Sequence, residues 1–315
     1  MIRNNPVFLL FLLPLLLPAQ QPSSRPSAGR GRVVVLGASL SAGFGNGLPL
    51  RKILEKAAGK KKVPILDTAT SLFFLKPLAF GPFQVKKALA AKPSLVIGLD
   101  FLFWYLYGGV PERARLERLK KGLRLLERLG KTPLILGDIP DMHGASPDML
   151  PPKAIPRKET IRKAGEAIRA WAEKHPMVRI FPLAEYTDLC KKKGWDLEPG
   201  PGERPFPPVH IDPSRLLQKD RLHPSRAGAL LLGRLLCRKI RKWFPTFRKE
   251  RPLAIPAGEI LKELPTSREP RRAAPATNAA QKTLRNPTPH FPLVSPGRPS
   301  PLRRPGFLFP SAPAG

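Results

Sequence analysis

Two short stretches of this 315-residue chain carry side chains whose chemistry is complementary. The first, Gly37-Ala38-Ser39-Leu40-Ser41-Ala42-Gly43, places a serine in a glycine-flanked turn directly after an apolar run. Such a turn lifts a hydroxyl above a sheet edge and points backbone N–H groups at negative charge that forms beside it. The second, Lys219-Asp220-Arg221-Leu222-His223-Pro224-Ser225, sets a carboxylate three residues before an imidazole. A serine hydroxyl is too weak an acid to attack an ester unaided. It needs an imidazole to take its proton, and the imidazole needs a carboxylate to fix its tautomer. Ser39, His223 and Asp220 are therefore candidates for nucleophile, base and orienting acid. Each stretch alone has a plainer reading: a phosphate cradle or simple turn for the first, a helix cap beside an exposed histidine for the second. Neither Gly-x-Gly-x-x-Gly nor the Lys-Ser/Thr pair of a P-loop accompanies the glycine turn.

The elements that would position these residues alternate in type. Apolar runs at Arg32–Leu36, Val63–Leu66, Ser94–Leu99, Pro133–Leu136 and Arg179–Phe181 read as strands buried on both faces. Between them, Leu48–Ala58, Phe83–Ala91, Glu112–Leu129 and Lys158–Lys174 repeat apolar residues at helical spacing, and a last helix is expected over Ser225–Trp243. The alternation predicts an α/β fold, a three-layer α/β/α sandwich around a mostly parallel, flavodoxin-like sheet. In such sheets ligands sit beyond the carboxyl ends of the strands, which is where Ser39 falls.

On these residues the chain resembles the SGNH, or GDSL-like, hydrolase family. That family's first block is Gly-Asp-Ser-Leu-Ser with a later glycine, and its last is Asp-x-x-His before the final helix. Gly37–Gly43 and Asp220–His223 match both in order, spacing and context, over about Gly31 to Phe244. The resemblance implies the SGNH hydrolase fold and an ester-cleaving acyl hydrolase that needs no cofactor, with Ser39 as nucleophile, His223 as base and then acid, and Asp220 orienting it. It departs from the family at three places. Ala38 replaces the aspartate before the nucleophile. Asp67-Thr68-Ala69-Thr70-Ser71 stands where the second block's oxyanion glycine belongs. Gly98-Leu99-Asp100-Phe101 puts an aspartate where the third block has its oxyanion asparagine. An ionised Asp100 would repel the developing charge, a protonated one would donate to it, and one turned away would orient a loop instead. A catalytically weakened binding protein of the cell envelope, on the same fold, is the alternative these changes keep open.

Asp100, Gly98, Phe101 and Trp104 are accordingly the oxyanion and substrate candidates. The aromatic-dense Phe101–Tyr107 reads equally as a pocket wall and as a segment docked in the core. Asp138, after the fourth apolar run, reads as a cap, and His143, His175, His210 and His290 carry no motif. No Cys/His cluster has metal-ligand spacing, so no metal is expected.

The chain has 55 Lys and Arg against 23 Asp and Glu, a net charge of +32. The basic runs are scattered and lack interleaved aromatics, which argues against nucleic acid and leaves an anionic surface as a softer partner. The expected substrate is a small-molecule, polysaccharide or lipid ester. Arg3 followed by the apolar Val7–Leu17 and Ala19 reads as a cleaved signal peptide over residues 1–19, with no permanent membrane span and a periplasmic or extracellular destination. A linker follows over 20–30, the hydrolase-like domain over 31–250, and a Pro/Arg-rich tail over 251–315 that buries too little apolar surface to offset its ordering entropy. Cys237 reads as a small buried hydrophobe; export would also allow it to pair with Cys190.

Overall fold

The computed structural model describes residues 31–59, 63–245 and 253–264. The chain runs β1 (Arg32–Val35), α1 (Ser39–Ala42), α2 (Leu50–Ala58), β2 (Ile65–Asp67), a 3₁₀ turn (Ser71–Phe74), α3 (Pro77–Ala90), β3 (Pro93–Gly98), α4 (Phe103–Leu106), α5 (Arg115–Glu127), β4 (Leu134–Gly137), α6 (Lys158–Glu173), β5 (Val178–Phe181) and α7 (Leu183–Lys192). A short antiparallel pair, β6 (Trp195–Leu197) and β7 (Val209–Ile211), precedes α8 (Pro213–Leu216), α9 (Arg226–Trp243) and α10 (Ala257–Leu261).

The five main strands form one parallel sheet in the order β2-β1-β3-β4-β5. Side chains alternate across a strand, and both faces here are apolar. Val33 and Val35 of β1, with Leu95 and Ile97 of β3, meet α2, α9 and α10 on one face. Val34, Leu36, Val96, Leu134 and Leu136 meet α3, α5 and α6 on the other. The expected three-layer α/β/α architecture is thus present, because runs apolar on both faces stay out of water only when helices cover both.

Strand order reverses between β1 and β3: the chain leaves β1 for β2 on one side, then lays down β3, β4 and β5 on the other. The crossovers diverge there and leave a crevice at the carboxyl ends. Ser39 follows β1 and Asp100 follows β3, so both lie at this switch point.

Two elements differ from expectation. α3 begins at Pro77 rather than Phe83 and contains Pro82; a proline so near a helix start removes only one backbone bond, and packing against the core outweighs it. Gly81 lets this helix approach Tyr105, whose hydroxyl a Cβ at that position would strike. The folded domain also continues past 250. Leu253, Ile255, Ala257 and Ile260 are buried against α2 and α9, Ala254 N–H donates to Ala57 O at 3.1 Å, and buried Arg234 donates to Ile255 O at 2.6 Å while paired with Glu203. Pro252 and Pro256 break the periodicity there, but the apolar residues between them remain enough to dock. Of the two readings open for Phe101–Tyr107, the structure takes the docked one: every residue of the segment is buried. The expected signal peptide and linker, and the tail from 265 on, lie outside the described residues. Among the described residues no helix is long and apolar enough to cross a membrane.

Candidate active site

The two motif stretches meet over the crevice. Ser39 Oγ lies 2.9 Å from His223 Nε2, and His223 Nδ1 lies 2.7 Å from Asp220 Oδ2. The other oxygen of Asp220 accepts the N–H groups of Leu222 at 2.9 Å and His223 at 3.0 Å. Partial burial opposes ionisation of Asp220, yet these N–H groups and the imidazole together hold its carboxyl below the usual range. An ionised Asp220 keeps the proton on Nδ1 and leaves Nε2 as the acceptor facing the serine, the tautomer that removes a hydroxyl proton. The Phe44 ring, its centroid 4.8 Å from that of His223, covers the imidazole.

Neighbouring polar groups hold the loop in place. Gln218 donates to Phe44 O at 2.8 Å and Pro224 O at 2.9 Å, and Asn46 Nδ2 reaches Pro224 O at 3.0 Å. Arg221 between the two catalytic candidates sits at φ 53°, in the left-handed region that non-glycine residues rarely adopt. Conformational cost is therefore concentrated in the turn that presents His223.

The turn carrying Ser39 is held from beneath by two buried side chains. Gln84 of α3 accepts from Gly37 N–H and donates to Gly37 O, both at 2.9 Å. Asp100 accepts from Leu40 N–H at 2.9 Å, Ser41 N–H at 3.3 Å and Ser41 Oγ at 2.6 Å. Of the three roles open to Asp100, this geometry corresponds to orienting a loop: its oxygens are occupied by α1. Burial pushes its carboxyl above the usual range, against the pull of the Ser41 hydroxyl and the backbone donors. Gly37, at φ 149°, leaves the space the carboxylate fills, and a Cβ there would collide with Asp100 Oδ1. The Ser39 N–H, in the same turn, makes no hydrogen bond among the described residues.

Two clefts open at Ser39 and His223. One, of about 360 Å³, is walled by Phe44, Ser71, Phe74, Trp104, Met149 and Leu222. The other, of about 400 Å³, is walled by Leu40, Asp100, Phe103, Pro140, Met142 and Leu183. It shares Leu40, Leu183, Thr187 and Leu222 with a further apolar cleft of about 480 Å³ reaching Cys190 between α7 and α9. Of the substrate candidates, Trp104 faces the first cleft. Phe101 does not: it is fully buried, its ring 5.5 Å from Phe73 and 5.7 Å from Tyr105. Gly98 likewise serves packing, since a Cβ there would press on Phe101 and Leu136 at 3.2 and 3.3 Å.

No metal-binding group of His, Cys, Asp and Glu occurs among the described residues. Asp138 caps α7 by accepting Ala184 N–H at 2.7 Å. His143 and His210 pair with Asp141 and Asp196 at the surface, and His175 bonds to Trp171 O within its own helix end. Cys190 and Cys237 are both free thiols, raised by burial to about 11 and about 12; Cys237 lies in the core as a small hydrophobe.

Comparison with known proteins gives structural likeness at low sequence identity. A lipase/acylhydrolase from Enterococcus faecalis matches 67% of this chain and 96% of its own at 18% identity and a TM-score of 0.47. A psychrotrophic esterase from Pseudoalteromonas sp. matches 68% and 99% at 16% and 0.41. A GDSL-like lipase from Bacteroides thetaiotaomicron matches 70% and 92% at 14% and 0.43. No protein-family model matches the chain, and no curated protein does.

Sequence reading missed Gln84, Gln218 and Asn46, and gave Ser71 only as part of the Asp67–Ser71 stretch at the second block's place. Gln84 had a signal, a lone amide on an otherwise apolar helix face. Gln218 and Asn46 sit in loops whose polar residues carry no pattern.

Proposed function

We propose that this chain is a serine hydrolase of the SGNH type, cleaving carboxylic esters through an acyl-enzyme intermediate. The observation that carries the reading is the continuous relay from Ser39 Oγ through His223 to Asp220, placed at the sheet's switch point. Ser39 Oγ attacks the ester carbonyl carbon while His223 Nε2 takes its proton. The tetrahedral oxyanion is met by the Ser39 N–H and by Ser71 across the cleft, whose hydroxyl has no other partner among the described residues. His223 then returns the proton to the departing alcohol oxygen, and water repeats the sequence on the acyl-Ser39 bond. The apolar walls on both sides of Ser39 favour an ester with an apolar acyl or alcohol part, free, lipid-borne or on a polysaccharide. Export by the segment ending near Ala19 belongs to the same reading.

A fluorophosphonate probe tests it, since its reaction needs an activated hydroxyl: labelling at Ser39 and loss of short-chain aryl ester turnover in Ser39→Ala are expected. An unlabelled Ser39, or turnover that survives the substitution, rejects it. One observation favours the non-catalytic alternative: the family's oxyanion asparagine is here an aspartate turned inward. A binding protein of that kind would leave Ser39 unlabelled.

A further inference from the structure

Soluble proteins keep large exposed apolar side chains scattered, so a contiguous group calls for a partner. Leu72 of the 3₁₀ turn, Leu75 just after it, and Leu78 and Phe83 of α3 are each about half exposed. They continue outward from Phe44, Phe74 and Met149, partly exposed residues that rim the first cleft. Among the described residues only Met177 is a comparably exposed large hydrophobe elsewhere. The outward face of α3 is thus apolar along Leu78, Ala79, Pro82 and Phe83, then basic at Lys86 and Lys87. Lys76 stands exposed at the start of the helix, and Lys87 Nζ lies 4.4 Å over the Phe83 ring. Between Asp67 and Asp100 the sequence has no acidic residue.

We infer that this face docks on an anionic lipid surface, its leucines and Phe83 entering the headgroup–acyl boundary and Lys76, Lys86 and Lys87 pairing with phosphate headgroups. Charge complementarity selects that occupant. A second copy meeting this face through a two-fold contact would set lysines against lysines. A soluble polyanion would satisfy the lysines and leave the apolar row in water. Only a surface both apolar and anionic serves the two together. The docked face lies beside the cleft that opens at Ser39, which would let an ester enter from the lipid phase; that consequence, unlike the docking, rests on the hydrolase reading.

Sedimentation of the full chain with vesicles tests the docking. The protein is expected to bind phosphatidylglycerol vesicles and not phosphatidylcholine vesicles. The double variant Leu75→Asp/Leu78→Asp is expected to weaken that binding by about tenfold or more, most visibly in salt that screens bulk attraction. Lys121→Ala/Arg124→Ala, removing the same charge from the exposed side of α5, is expected to change it by less than about twofold. Absence of binding to phosphatidylglycerol, equal loss in both variants, or no loss in the leucine variant overturns the inference. So does a concentration-dependent dimer that the leucine variant disperses. Turnover of a soluble aryl ester without vesicles should be the same in all three proteins. Its absence would reject the hydrolase and leave the docking standing.

Discussion

Two aspartates hold the Ser39 site from opposite sides, and their surroundings push them in opposite directions. Asp220 keeps 13% of its side chain exposed and accepts two backbone N–H groups and the imidazole; its carboxyl is held low. Asp100 is 5% exposed and has at least as many donors, yet its carboxyl is held high. Counting hydrogen bonds does not separate them; solvent does. With water close by, the donors at Asp220 outweigh a modest desolvation cost, whereas full burial at Asp100 outweighs every donor. Only one of the two is therefore equipped to act as the constant negative charge that an imidazolium needs. The other acts as a clamp on the turn that carries Ser39.

The largest effect should come from breaking the charge at Asp220 while keeping its shape. Asp220→Asn can still accept the Leu222 and His223 N–H groups, but its amide cannot hold the proton on Nδ1. Turnover should fall by about 10⁴-fold through the wrong tautomer, with thermal unfolding little changed. Aryl ester kinetics beside a melting curve check this. A loss below about tenfold would mean that Asp220 only shapes the loop.

Asp100 should give the converse pattern, a stability effect first. Asp100→Ala leaves Leu40 N–H, Ser41 N–H and the Ser41 hydroxyl without an acceptor in a site only 5% exposed. Unsatisfied groups of this kind cost about 1–3 kcal/mol each, partly recovered by relaxation, so a loss of about 3 kcal/mol is expected from denaturant unfolding. If the variant is as stable as the parent, the carboxylate is not a clamp. If stability holds while turnover rises, it was an obstacle to the oxyanion.

The contrast also explains what was legible in the residues. That Ser39, Asp220 and His223 come together could be expected because the chemistry proposed for them fixes residue type and spacing within short stretches, and the parallel sheet could be read because runs buried on both faces have one economical arrangement. Asp100 could be located but not oriented, since a carboxylate after β3 reaches either the cleft or α1, and the choice depends on the empty volume at Gly37 sixty-three residues earlier. Phe101 and Trp104 are three apart in one aromatic run, yet one fills the core and the other faces the cleft; composition cannot divide them. The 253–264 segment was hidden for another reason. Its prolines erase periodicity, while the polar groups that hold its backbone, Arg234 and Glu203, meet only in the folded chain.

The smallest effect, and the finest test of the comparison, is in how stability varies with pH. Asp220 has its folded carboxyl below the unfolded value near 3.9, so its contribution is present above that pH and disappears as pH falls through the lower folded value. Asp100 has its folded carboxyl above the same reference, so its contribution is fully present below about 3.9 and is lost as pH rises through the higher folded value. Unfolding midpoints of the parent, Asp220→Asn and Asp100→Asn should then diverge with opposite signs. Relative to its variant, the Asp220 parent loses stability on acidification below pH ~3.9, and the Asp100 parent gains it on acidification from neutral pH down to about 3.9. Parallel curves for Asp100→Asn and the parent across that interval would mean that the three hydrogen bonds from α1 cancel the burial, and that the two carboxylates are electrostatically alike after all.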